Sequence, residues 1–279
     1  MADHLAKIDR PRIGLALSGG AARGIAHIGV LRAFEEHNIP IDAIAAASAG
    51  ALIGGAYAAG MSIEQLEAMT RKFRWRRTAR FSFSRLGLQS NARMEKFLRA
   101  RLPVTRFEEL KIPFAAVVTD LRKGTPIVFR DTGDVPFAIR ASGCVPALYV
   151  PVRDSEGRLL VDGGLVANLP ISYTRELGAD IVIAVDVGAD GARFMESPKT
   201  ALGVLTQVFV AVERVVSNQE REKADFIIIP RVGHIRWDET RRADELLKAG
   251  HEAALESIGS IKELIEQHPL SQKRMESLV

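Results

Sequence analysis

Apolar residues along this chain gather in short unbroken runs, each followed by a longer stretch in which they recur every three to four positions. The first run, Arg12-Ile13-Gly14-Leu15-Ala16-Leu17-Ser18, has no helical stripe and reads as a strand; Gly19 to Gly24 then turns the chain into a helix pattern reaching about Glu36. Ile44 to Ala47 repeats the strand signal, and an Ala/Gly-rich helix pattern starts at Ser48. Further helices are expected over Met61 to Arg74 with Ser62 as cap, from a cap at Asn91 to Arg101, over Val135 to Ser142, over Ile171 to Leu177 with Gly178 as stop, over Thr200 to Lys223, and through most of Asp238 to Glu266. Strands are expected at Phe114 to Thr119 and Thr125 to Phe129 around a turn at Lys123-Gly124, at Arg158 to Val161, Ile181 to Val187 and Phe226 to Pro230. Buried strands alternating with helices predict an α/β fold, a three-layer α/β/α sandwich with a central, mostly parallel sheet.

Residues 43–63 carry no charge and are long enough to cross a bilayer. Ala and Gly dominate the stretch, and four glycines weaken it as an isolated helix, so a transmembrane reading is rejected. Gly50, Gly54 and Ala58 fall on one stripe that lets a buried helix approach a sheet closely.

With 279 residues, 47% of them hydrophobic and 26% charged, the chain can build a sizeable core in one large domain. A catalytic domain is expected over 8–232, with 233–279 as a helical extension packed on it. The lone Cys144 has no disulfide partner and no Cys/His cluster has zinc spacing, which fits a reducing compartment. The first seven residues have no apolar core of the secretory kind, so a cytoplasmic location is expected. Net charge is only +4, yet Arg71 to Arg85 alone holds seven cations and no acid, leaving a net −3 elsewhere. Phe73, Trp75, Phe81 and Phe83 interleave with those cations. An anionic membrane surface suits that mixture; specific nucleic-acid binding is not expected, because no nucleic-acid module accompanies it. A solvated helix end paired with acids is the competing account.

The stretch Ala46-Ala47-Ser48-Ala49-Gly50 has the grammar of a nucleophile elbow, in which a serine sits on a tight strand-to-helix turn at a helix N-terminus. A serine N-cap is the plainer alternative. Gly19 and Gly20 let backbone N–H groups face a ligand oxygen, or simply form a tight turn; the spacing to Gly24 fits neither a Walker A loop nor a dinucleotide fingerprint. A third feature, Asp162-Gly163-Gly164 followed by Asn168 and Pro170, comes late in the chain. Gly19-Gly20-Ala21-Ala22-Arg23-Gly24, Ser48 with Gly50, and Asp162-Gly163-Gly164 together resemble the patatin-like phospholipase family in motif order and spacing, from about Arg12 to about Asp186. Ala46 stands where the family's G-x-S-x-G motif has its first glycine.

That resemblance implies a serine acyl hydrolase acting on phospholipid or lysophospholipid esters, with a Ser48–Asp162 dyad and no catalytic histidine. Gly19, Gly20, Ala21, Arg23 and Gly24 would form the oxyanion loop, supported by Gly50, Gly163, Gly164 and Asn168; no metal and no organic cofactor is expected. Arg23 either orients that loop or pairs with a carboxylate to hold the helix start. A triad through His234 or His251 is a competing base, Ser142 is a rival serine, and Cys144 reads as a small buried residue. His27 reads as a packed helix residue and His4, His37 and His268 as surface ones. From another class, a low-turnover lipid- or protein-binding regulator on the same fold remains an alternative.

Overall fold

The structure, a computed structural model, describes residues 10–72, 80–189 and 197–276. Its strands are β1 (Ile13–Leu17), β2 (Ala43–Ala47), β3 (Arg80–Phe81), β4 (Gln89–Ser90), β5 (Phe114–Asp120), β6 (Thr125–Phe129), β7 (Val152–Arg153), β8 (Leu159–Asp162), β9 (Ile181–Val185) and β10 (Phe226–Ile228). The α-helices are α1 (Ala26–Glu36), α2 (Ser48–Ala58), α3 (Ile63–Lys72), α4 (Ala92–Arg99), α5 (Val135–Ser142), α6 (Gly164–Ala167), α7 (Ile171–Glu176), α8 (Ala201–Arg221), α9 (Ala243–Gln267) and α10 (Pro269–Glu276).

The main sheet runs β10-β9-β1-β2-β5-β8-β7, with β6 also on β5. From β10 to β5 every pairing is parallel, and Leu15 of β1 lies between Ile44 and Ile183. β6, β8 and β7 join antiparallel at one side. All residues of β1, β2, β5 and β9 are buried, as expected of strands covered on both faces. Ile13, Leu15 and Leu17 point into the large core with α1, α2, α3 and α9. Ala16 and Ala184 point the other way, to Leu169 and Ile171. The expected α/β sandwich is therefore present, with a mixed rather than purely parallel sheet.

The uncharged stretch 43–63 divides between β2 and α2 inside this core. Gly54 faces Ile44 and Leu17 across the sheet, where a Cβ would come within about 3 Å of their side chains. α9 packs on α1 with Gly29 and Gly250 at the backbone contacts, so the C-terminal segment adds to the same core. Ser62 caps α3 reciprocally with Gln65, as in a capping box. Asn91 precedes α4, but its side chain is turned to Arg140 instead of capping the helix. α4 stops at Arg99, because Ala100 and Arg101 close the turn back onto Lys96 and Leu98. The short strands β3, β4 and β7 escaped the sequence reading, since a two-residue strand has no periodicity to detect.

Candidate active site

Register brings the site together. Ala47, the last residue of β2, lies opposite Val117 of β5, and Asp162, the last residue of β8, lies opposite the next residue, Val118. Ser48 and Asp162, 114 residues apart in sequence, thereby meet: Ser48 Oγ donates to Asp162 Oδ2 at 2.7 Å. Ser48 has φ 51° after an extended Ala47, the left-handed backbone of a sharp strand-to-helix turn. Such a conformation costs a non-glycine residue about 1–2 kcal/mol and persists only where the surroundings enforce it. Part of that enforcement is Ser142, whose Oγ accepts from the Ser48 N–H at 2.9 Å and donates to the Val117 carbonyl at 2.7 Å. Ser142, weighed above as a rival serine, is thus a clamp on the elbow.

Asp162 is fully buried. Desolvation pushes its carboxyl up to about 7, while hydrogen bonds from the Gly164 N–H at 2.9 Å and from Ser48 pull the other way. The Thr119 hydroxyl donates to the Asp162 carbonyl and the Asp162 N–H to the Cys144 carbonyl, which fixes its backbone. None of the described histidines hydrogen-bonds Ser48 or Asp162. His234 and His251 pair with Glu245 and Glu36 at the surface. His27 is buried behind the Gly19 turn against the Ser18 carbonyl, and burial pulls its imidazole down to about 4. Cys144 is buried with its thiol pushed up to about 12, which makes it inert.

After β1 the chain turns through Gly20 (φ 155°) and Ala21 (φ 49°) into a single 3₁₀ turn, Ala21–Ile25. The loop is locked from outside: Asn168 accepts the Gly19 N–H through both its carbonyl and its side chain at 3.1 Å. Gly19 is therefore engaged, and the neighbouring N–H groups of Gly20 and Ala21 make no backbone hydrogen bond among the described residues. Arg23 donates to the Ile235 carbonyl at 2.7 Å, anchoring the turn to the segment before α9. Gly24 has a packing role, since a Cβ there would sit 2.5 Å from that of Ala49. These contacts hold the loop in place, and the Arg23 N–H is itself spent on the Gly20 carbonyl at 3.1 Å.

A family model described as patatin-like phospholipase matches residues 15–175. The chain belongs to the patatin-like phospholipase family. An uncharacterized NTE family protein of Mycobacterium tuberculosis is 37% identical over 185 residues, covering 65% of this chain and 51% of the relative. Lysophospholipase nte1 of Neurospora crassa is 34% identical over 183 residues, covering 63% of this chain and 12% of the relative. The chain thus matches about half the length of the mycobacterial relatives and a much smaller share of the fungal ones. Among solved structures, VipD from Legionella pneumophila is similar in fold, with a TM-score of 0.54 at 14% identity over 90% of this chain and 67% of that one.

Ala46, where the family motif has its first glycine, is a buried β2 residue outside the positive-φ positions, and even a Cβ added at Gly54 would stay 3.7 Å from its methyl. Gly50 is the demanding position, since a Cβ would press within 2.5 Å of the Leu17 carbonyl and 2.7 Å of that of Ser18. Gly163 passes hard against the Val117 backbone.

Gly164 makes room for Glu213 of α8, which no motif had indicated. The Glu213 carboxyl shares the space beside Gly19 with Ser48 Cβ and Asn168 Oδ1. Burial holds it well above the usual carboxylate range, reinforced by Asp162 and Asp186 and opposed by Arg23. The one sequence signal was an acid ending the uncharged run 200–212 on an amphipathic helix.

Proposed function

We propose that this patatin-like protein is a serine acyl hydrolase that cleaves fatty-acyl esters of phospholipids or lysophospholipids through Ser48 and Asp162. The observation that carries the reading is the 2.7 Å hydrogen bond from Ser48, poised at φ 51°, to a buried Asp162 whose carboxyl is pushed up to about 7. A carboxylate of ordinary pKa near ~4 is too weak a base for a serine hydroxyl, and desolvation raises its basicity toward neutral pH. The relatives named as lysophospholipases support the substrate class.

In the first step Asp162 takes the Ser48 proton as Oγ bonds to the ester carbonyl carbon. Negative charge develops on the carbonyl oxygen, next to the Gly20 and Ala21 N–H groups and the N-terminus of α2. The C–O bond to the alcohol then breaks, the Asp162 proton goes to the leaving oxygen, and the acyl group stays on Ser48. Water attacks that acyl-enzyme, giving its proton to Asp162, and the fatty acid leaves as Ser48 recovers a proton. A neutral Asp162 cannot begin this cycle, so kcat/KM should rise with pH through about 7.

Contact with an anionic membrane through Arg71 to Arg85 belongs to the same reading. Residues 73–79, including Phe73, Arg74, Trp75, Arg76 and Arg77, lie outside the described residues. Arg71 is tied to Asp244 at 2.8 Å, as a helix-end ion pair. Phe81 and Phe83 support the contact: Phe83 is 98% exposed and the two rings meet edge to face at 5.5 Å beside Arg80 and Arg85.

The deciding experiment is labelling with a fluorophosphonate probe. Wild type should be labelled at Ser48 and Ser48→Ala should not, with fatty-acid release from lysophospholipid lost in parallel. Full activity in Ser48→Ala would refute the assignment.

A further inference from the structure

α8 presents two unlike faces. Phe209, Glu213 and Ser217, spaced four residues apart, face the protein: Phe209 and Ser217 are buried, and Glu213 lies over Gly19 and Gly164 next to Ser48. Val204, Val208 and Val215 on the opposite stripe are exposed, as is Leu205, which extends the inner stripe past the edge of the protein; Leu205 and Val208 are 54% exposed each. In length and composition α8 is apolar enough to cross a membrane, yet little of it is buried in the protein. Through Glu213 it covers one side of a site whose serine is only 9% exposed, so moving α8 outward would widen the approach to Ser48.

Ser217, Glu220 and Arg221 anchor the C-terminal end of α8. Ser217 accepts from Asn168 at 3.0 Å, Glu220 accepts from the Ser172 N–H and hydroxyl, and Arg221 pairs with buried Asp186 at 2.6 Å. The apolar N-terminal half lies beyond these pins. Its outer stripe offers dispersion contact and no charge between residues 200 and 212, whereas a specific protein partner would require directional polar groups around an apolar centre. The inner face of the same helix covers a site for acyl chains, which are themselves held in a lipid phase. A lipid surface is therefore the occupant that suits both faces.

Resting on the acyl-hydrolase reading, we propose that the outer stripe of α8 docks on a lipid surface and that docking draws Glu213 away from Ser48 and Asp162, opening the site to the lipid beneath. The helix pivots at residues 217–221, and Leu205 and Val208 enter the acyl region.

The test uses the full chain and Leu205→Glu with Val208→Glu, singly and together, on vesicles of phosphatidylcholine alone. Zwitterionic vesicles leave the basic stretch 71–85 little to attract. Wild type should float with the vesicles, and each substitution should weaken flotation and vesicle-phospholipid hydrolysis about tenfold. Hydrolysis of monomeric p-nitrophenyl butyrate should stay unchanged. Val208→Thr, close to Val in shape, should move flotation in the same direction if the charged variants misfold. Equal flotation of wild type and folded variants, absence of wild-type flotation, or a wild-type dimer that Leu205→Glu makes monomeric would each overturn the proposal. Failure of wild type to hydrolyse p-nitrophenyl butyrate would count against the hydrolase reading, while flotation would still decide the surface.

Discussion

Asp162→Asn should abolish turnover and at the same time stabilise the protein, by an amount that grows with pH. The carboxyl ionises near its ordinary value of 3.8 when unfolded and at about 7 when folded, because folding strips it of water. Between those values the native state holds a proton that the unfolded state has released, so wild-type stability falls as pH rises and levels off above about 7. From pH 5 to pH 8 this single group removes about 2–3 kcal/mol. Asparagine has no such proton. Its Oδ1 can still accept from the Gly164 N–H, now at 2.9 Å from the carboxylate, and its amide can donate to Ser48 Oγ. Glu213 adds to the effect in the same direction, since Asp162 is one of the charges that oppose its ionisation. Urea unfolding of both proteins at pH 5 and pH 8 measures the difference directly. The advantage of Asp162→Asn should widen by about 2–3 kcal/mol at the higher pH. A stability difference independent of pH, or one that shrinks toward pH 8, would refute the claim that Asp162 is a desolvated, poised base.

The remaining expectations follow from single contacts. Ser142→Ala leaves the buried Ser48 N–H and Val117 carbonyl without their partner, which should cost about 2–4 kcal/mol in thermal or urea unfolding and lower kcat more than it raises KM. Gly50→Ala drives a methyl against the Leu17 and Ser18 carbonyls, and a loss of about 1–3 kcal/mol with a sharp drop in fluorophosphonate labelling is expected; wild-type labelling would show that α2 can shift freely. His27, neutral when folded and with its ionisation pulled from 6.5 to about 4, contributes stability that is complete above pH 6.5 and drains away as pH falls toward 4. The loss should reach about 3 kcal/mol, and His27→Gln should lack that slope in unfolding titrations. The kcat/KM profile for a short ester should show one ascending limb near pH 7, and its position should be unmoved in His234→Ala and His251→Ala.

Much of the fold was legible because it rests on local patterns. β1, β2, β5 and β9 are buried on both faces, so their sequences are nearly continuous apolar runs that no surface strand would tolerate. The strand-to-helix turns at Gly19 and Ser48 announced themselves through small residues, since a crowded turn admits little else. Conversely, β3, β4 and β7 are two residues each and are held by partners distant in sequence, which leaves no local trace. Asn91 shows the limit of cap rules: the residue type was right for a helix start, and a nearby Arg140 claimed its side chain.

By itself, then, the sequence determined the order of the main strands and helices, the candidate serine and aspartate, and the glycines without which two turns cannot close. These depend on backbone freedom and side-chain size, which are properties of each residue where it stands. Tertiary structure alone decided that Asn168 locks the Gly19 turn across 149 residues and that Ser142 holds the Ser48 amide across 94. It also decided that Glu213 comes to rest over the site, and that Asp162 is dry enough to ionise near 7. The physical reason is that hydrogen-bond reach and desolvation depend on separations of a few ångströms between segments remote in sequence, and those separations exist only once the sheet has set its register.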